Sequence, residues 1–257
     1  MPVALALSPH LDDAAFSCGG TLATLADAGW TIVMATIFTA SVPDPKGFAL
    51  ACQTDKGLGP EVDYMSLRRA EDRRAAEALG IAPPLHLPFR EAPHRGYGAP
   101  ADLFAAPRDD DDIVGALADT VSALIKDVSP DLIFAPQSVG GHVDHVQLVR
   151  AIGQVAGDAP ILWWRDFPYT VRHTQPQEPF GSRFAKLPEH AVHYCASAEE
   201  KKALACAAYA TQLGYQFGGV EGLLRRLADE ARSERFRLAG VLPLQAAVLF
   251  EDHATVS

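Results

Sequence analysis

The stretch Val3-Ala4-Leu5-Ala6-Leu7-Ser8-Pro9-His10-Leu11-Asp12-Asp13 opens the chain with five apolar residues that run straight into a polar turn. An uninterrupted apolar run of this length reads as a short strand buried on both faces. Gly19-Gly20 then opens a helical stretch to about residue 28, and TIVMATIF over 31–38 is β-rich. Strand, polar turn, helix, strand is the beginning of a parallel α/β sheet.

The alternation continues downstream. Ser66 caps a helix, LRRAEDRRAAEALG, that stops at Gly80, and residues 85–89 make a third strand. A helix runs from the acidic run 109–112 to about 126, and Pro130 introduces a fourth strand over 132–135. A helix over 144–156 and a fifth strand over 161–164 follow. Residues 39–65, with Pro43, Pro45, Pro60 and three glycines, read as a long surface loop, as do 93–107. Beyond 165 the pattern loosens into a Pro-rich loop over 165–190, helices over 198–213 and 220–232, and a terminal strand over 245–250. The acids of 109–112 read as carboxylates facing water at the positive end of a helix, and RRLADEARSERFR as a solvated helical face.

The expectation is a three-layer α/β fold with a mainly parallel sheet of order beginning 3-2-1-4-5. Its 257 residues form one domain, 1–257, in which 1–165 carries both motifs described below and 166–257 completes the core. A net charge of −10 argues against nucleic acid or an anionic membrane as the main partner. Cys18, Cys52, Cys195 and Cys206 are scattered with no C-x-x-C pair, as in a reduced protein. No apolar run approaches the ~20 residues of a membrane span. The chain therefore reads as soluble and cytoplasmic, with a small molecule as its partner and a homo-oligomer left open.

Two loops carry the chemistry: Ser8-Pro9-His10-Leu11-Asp12-Asp13 after strand one and Gly140-Gly141-His142-Val143-Asp144-His145 after strand four. In open parallel sheets ligands bind beyond the carboxyl ends of the strands, where the strand order reverses. An order of 3-2-1-4-5 makes strands one and four neighbours, so the two loops meet there. His10, Asp13 and His145 then supply two imidazoles and a carboxylate, a set that suits Zn²⁺, or Fe²⁺, with a position open for water. Asp12 is free to take a proton from that water, His142 to donate to the oxyanion and leaving amine, and Asp144 to orient His142. Each motif alone is common turn chemistry. Two of them at strand ends are not.

Read together, S-P-H-L-D-D-A-x-x-S-C-G-G and G-H-V-D-H-V resemble the LmbE-like, PIG-L-type zinc deacetylases, whose motifs are (A/P)-H-P-D-D-E with a following G-G pair and H-x-D-H. The likeness extends through Arg68-x-x-Glu71 and Ala75-Ala76-x-x-Leu79-Gly80. It implies a Rossmann-like fold and hydrolysis of an N-acetyl group from an amino-sugar conjugate. It also implies metal ligands at His10, Asp13 and His145, a base at Asp12 and an acid or electrostatic partner at His142. Arg68 matches a substrate-binding arginine, although an ion pair with Asp72 would explain it equally. Glu91 falls where relatives often carry a substrate-contacting Asp, although a loop charge would explain it equally. Three departures stand out: Leu11 for Pro, which should loosen the turn but need not move the ligands; Ala14 for Glu; and Gly140 where some relatives have Tyr, a gap that the Tyr169 hydroxyl would fill from after strand five, although packing under the loop would explain Tyr169 equally.

Among other readings, an amidase for larger conjugates differs only in the acid released. A metal-retaining, inactive carbohydrate-binding module has no need of Asp12 and His142. A nucleotide-binding fold is disfavoured by the absence of G-x-G-x-x-G, and Gly19-Gly20 instead let the backbone pass close to the site and begin the helix. Trp163 and Trp164 suit a sugar face or the core equally. His94, His173, His190 and His193 have no ligand spacing.

Overall fold

A computed structural model describes residues 1–155, 157–172 and 175–250, so His173 lies outside the described residues. In chain order the elements are β1 (Val3–Ser8), α1 (Asp13–Asp27), β2 (Thr31–Thr36), α2 (Gly47–Thr54), α3 (Tyr64–Leu79), β3 (Leu85–His86), α4 (Ile113–Val128), β4 (Leu132–Pro136) and α5 (Val143–Ile152). They continue with β5 (Ile161–Trp164), α6 (Tyr169–Arg172), α7 (Gly181–Phe184), β6 (Glu189–His193), α8 (Ala196–Ala207), α9 (Ala210–Phe217), α10 (Val220–Asp229) and β7 (Ser233–Ala239). The sheet runs β3-β2-β1-β4-β5-β7-β6, so the expected 3-2-1-4-5 order holds. All pairs through β5 are parallel, and β7 is antiparallel to both β5 and β6.

The opening run is buried on both sides as its composition requires. Ala4 and Ala6 join Leu22, Leu25 and Trp164 on one face, while Leu5 and Leu7 join Leu117, Leu148 and Trp163 on the other. Both tryptophans are therefore core residues. β1 and β4 lie side by side, and their carboxyl ends open onto one crevice. Among the described residues no helix is long and apolar enough to cross a membrane.

Several local expectations are corrected. The loop 39–65 contains α2, and α3 is capped by Asp63, whose carboxylate accepts from the Ser66 N–H at 2.9 Å. Helix α1 starts at Asp13, so Gly19-Gly20 lie inside it, just past a kink at Cys18. A Cβ on Gly20 would come within 2.5 Å of the Tyr194 ring, which is why glycine stands there. The loop 165–190 contains the short helices α6 and α7, and the helix expected over 198–213 is two, α8 and α9.

The terminal strand is not 245–250. Leu244–Phe250 is a 3₁₀ helix that buries Ala246 and Leu249, three residues apart, as its period demands. β7 comes instead from the Arg-rich stretch read as a helical face. Glu234, Phe236 and Leu238 point inward while Arg235 and Arg237 pair with Glu189 outside, the two-residue alternation of a strand. Glu234 is buried because it accepts from the Gly20 and Thr21 amides freed by the kink and pairs with buried Lys202 at 2.8 Å.

Candidate metal centre

The β1–α1 turn is built by its own backbone. The Ser8 hydroxyl donates to the His10 carbonyl at 2.7 Å and accepts from the Ala14 amide at 3.0 Å. Leu11 is fully buried against Tyr64 and Met65, so the residue that replaces proline anchors the turn rather than loosening it. Ala14 sits in the core. After β4, Gly140 and Gly141 take φ +96° and +76°, which only glycine adopts readily, and swing the chain so that α5 starts over the same crevice.

The two loops bring three donor atoms together. Asp13 Oδ2 lies 3.2 Å from His10 Nδ1 and 3.1 Å from His145 Nε2, and the two nitrogens are 3.3 Å apart. Ligands at zinc bond lengths of 2.0–2.1 Å in a tetrahedron are separated by about 3.3 Å. The far nitrogen of each imidazole rests on a buried carboxylate: His10 Nε2 on Asp144 Oδ2 at 2.9 Å, His145 Nδ1 on Asp166 Oδ1 at 2.7 Å. Those bonds select the tautomer in which, once each imidazole is neutral, its ring proton points away from the triangle and its lone pair faces into it. The donor set therefore fits a divalent cation. His142 joins His10 and His145 in a cluster whose ligand atoms lie within 4.8 Å of one another, a looser set than the one including Asp13.

The electrostatics agree. Burial opposes charge on both imidazoles, yet Asp13 and Asp144 raise His10 well above its ordinary value, and Asp13 and Asp166 raise His145 to about 9. Positive charge is what this pocket stabilises. His142 differs: burial, then the neighbouring His10, lowers it to about 3, so its imidazole is neutral. Burial pushes Asp12 up to about 6 against the pull of Arg68.

The Asp144 carboxylate does not orient His142 as expected. It holds His10, is held by Arg95 Nη2 at 2.8 Å, and accepts from the Ala92 amide; only the Asp144 backbone N–H reaches His142, donating to Nδ1 at 3.2 Å. Arg95 is gripped in turn by both oxygens of Asp111 at 3.0 Å. Asp111 therefore does not face water as the acidic run predicted; its carboxylate is covered by Arg95, Tyr97 and Gln147. Arg68 does not pair with Asp72. It reaches Glu91 at 2.5 Å and Asp12 at 3.5 Å, while Asp72 is buried among Thr36, His86 and Tyr209.

His10, Asp12, Asp13, His142 and Asp144 line one cleft of about 220 Å³ together with Arg68, Glu91 and Tyr169, so all but His145 of the residues singled out by sequence open onto it. Phe48, Leu103, Phe104 and Tyr215 form its apolar wall. Tyr169 occupies the space a side chain at 140 would need: a Cβ on Gly140 would lie 2.4 Å from its Cγ. Sequence reasoning missed Arg95, Asp166 and Gln216. Asp166, just past the end of β5, carried a usable signal, the strand-end position itself.

Residues 5–156 match the family model described as GlcNAc-PI de-N-acetylase, PIG-L. A 2'-N-acetylparomamine deacetylase of Streptomyces fradiae is 33% identical over 69% of this chain, and the match spans 65% of that protein's length. The crystal structure of the antimicrobial A40926 pseudoaglycone deacetylase is 27% identical, with a TM-score of 0.77 over 92% of this chain and 96% of that one. The zinc-inhibited form of teicoplanin deacetylase is 26% identical, with a TM-score of 0.75 over 92% and 98%. The chain belongs to the PIG-L family.

Proposed function

We propose that this protein is a metal-dependent hydrolase that removes the N-acetyl group from an amino-sugar conjugate. Zinc is the favoured ion, with His10 Nδ1, Asp13 Oδ2 and His145 Nε2 as its protein ligands. When bound, it supplies Lewis acidity, polarising the amide carbonyl and acidifying water. The observation that carries the reading is the triangle of donors at 3.1–3.3 Å, each imidazole backed by a carboxylate, beside the spare carboxylate of Asp12. Relatives described as deacetylases of acetylated paromamine and of a pseudoaglycone support the substrate class; the zinc-inhibited form of teicoplanin deacetylase supports divalent-metal binding in this fold, and the choice of zinc rests on the two-imidazole, one-carboxylate donor set.

The chain's own residues supply the rest. Asp12, buried and raised toward neutrality, accepts the proton of the attacking water and passes it to the leaving amine nitrogen. His142 acts as a neutral donor: with Nδ1 accepting from the Asp144 amide, its proton sits on Nε2, available to the developing oxyanion. Asp144 and Asp166 keep His10 and His145 in the tautomers that expose their ligating nitrogens. Arg68 and Glu91 offer polar contacts for sugar hydroxyls on the cleft wall, and Tyr169 flanks His145.

The test is metal analysis of purified protein, then a free-amine assay across N-acetylated amino sugars with acetate as co-product. Asp12→Asn should keep its metal and lose more than about 100-fold in turnover. Loss of metal instead would exchange the roles of Asp12 and Asp13. Release of a longer acid in place of acetate would make the protein an amidase of larger conjugates.

A further inference from the structure

The carboxylate read above as the general base is held from two directions, and one of them lies outside the stretch matched by the family model. Asp12 is 4% exposed. Its Oδ1 faces Arg68 Nη2, from α3, at 3.5 Å, and its Oδ2 accepts a hydrogen bond from Gln216 Nε2, from α9, at 3.1 Å. We propose that Gln216 is a positioning residue for catalysis, fixing the plane of the Asp12 carboxylate; the inference rests on Asp12 being the base.

A carboxylate rotates about its last torsion in a broad two-fold well, so one partner leaves its plane loosely defined. A guanidinium facing one oxygen and a hydrogen bond on the other, from different helices, define it. The partner on Oδ2 is a neutral amide, which orients the oxygen without the full charge that a second guanidinium would bring. Basicity is therefore retained while direction is set.

Helix α9 is docked firmly enough to do this. Glu71 of α3 accepts from both the Thr211 amide at 2.9 Å and the Thr211 hydroxyl at 2.7 Å. Gln212, one helical turn before Gln216 and on the same face, donates to the Tyr64 hydroxyl at 2.7 Å. The Tyr64 ring in turn lies 5.6 Å from the Arg68 guanidinium. The ion-pair partner and the hydrogen-bond donor of Asp12 thus sit on helices bolted to each other, and the base is oriented only when α9 is in place.

Gln216→Met keeps length and packing but removes the donor; Gln216→Glu keeps the shape and sets a carboxylate against a carboxylate. We expect Gln216→Met to lower kcat about tenfold with KM within twofold, and with metal content and Tm as in the parent. Gln216→Glu should lower kcat further. Wild-type kcat in either variant overturns the inference, as does a rise in KM at unchanged kcat, which would make Gln216 a substrate contact. Asp12→Asn in the same assay separates the two claims. If Asp12→Asn remains active, the base assignment itself fails; if it is inactive while Gln216→Met is unaffected, only the role of Gln216 fails.

Discussion

Replacing Arg95 by methionine tests whether the metal centre is built three residues deep. Among the described residues Arg95 makes no hydrogen bond or ion pair with the three proposed ligands. It bridges Asp111 and Asp144, and Asp144 holds His10 Nε2. Asp144 is fully buried and Asp111 nearly so, so their shared cation is poorly screened by solvent. Removing one partner of a buried ion pair costs about 3–5 kcal/mol. Asp144 would retain the Ala92 amide and His10, and Asp111 would retain Tyr97 and Gln147, which places the cost near 3 kcal/mol. The second effect is on the tautomer. Without Arg95, which helps hold its carboxyl well below the usual range, Asp144 takes up a proton more readily. A protonated Asp144 donates to His10 Nε2 and drives the ring proton to Nδ1, the atom that must present its lone pair. Loss of such a partner costs 10–100-fold in metal affinity. The assay is competition for Zn²⁺ against a chromophoric chelator, with Tm measured on metal-free protein. Arg108→Met, which breaks an exposed pair with Asp110, is the control and should change neither. A zinc dissociation constant within twofold of the parent in Arg95→Met would refute the coupling, whatever happens to Tm.

Three further outcomes follow from the same geometry. Because metal-free His145 is raised to about 9 by Asp13 and Asp166 against burial, it carries a proton at neutral pH that a cation must displace. Metal binding should then release protons and tighten as pH rises toward 9; calorimetry in buffers of different ionisation enthalpy reads this directly, and no release at pH 7.5 would contradict it. Gly140→Ala combines φ +96° with a Cβ 2.4 Å from Tyr169, so it should destabilise by about 1–3 kcal/mol and displace the ring; adding Tyr169→Ala should recover the steric part of that loss, as read by Tm. Glu234→Gln leaves buried Lys202 with Glu230 alone at 3.0 Å, which should cost about 3 kcal/mol and lower Tm by roughly 6–12 °C.

Much of this molecule can be read from local pattern. A run of four or five apolar residues between turn residues fits a strand covered on both sides better than a helix, and β1, β2, β4 and β5 all follow that logic. Because a strand's end is where the chain must turn, H-L-D-D and H-V-D-H fall at the crevice as soon as the sheet order is known. Local pattern misleads where a charged residue is buried by a distant partner. β7 looks solvated because Glu234 is charged, yet Lys202 and the kinked helix α1 take that charge inside. The acidic run looks exposed because the arginine that covers Asp111 comes from another loop.

Residue types and spacing determined the α/β architecture and the two motifs, since each depends on neighbours a few positions away, and the three candidate ligands followed once the strand order set the two motifs side by side. Which carboxylate backs which imidazole, that Arg68 faces Asp12 rather than Asp72, and that Gln216 reaches across from α9 were decided only by tertiary structure. Hydrogen bonds and ion pairs act over about 3 Å, and no spacing along the chain encodes which distant side chains will come within that reach.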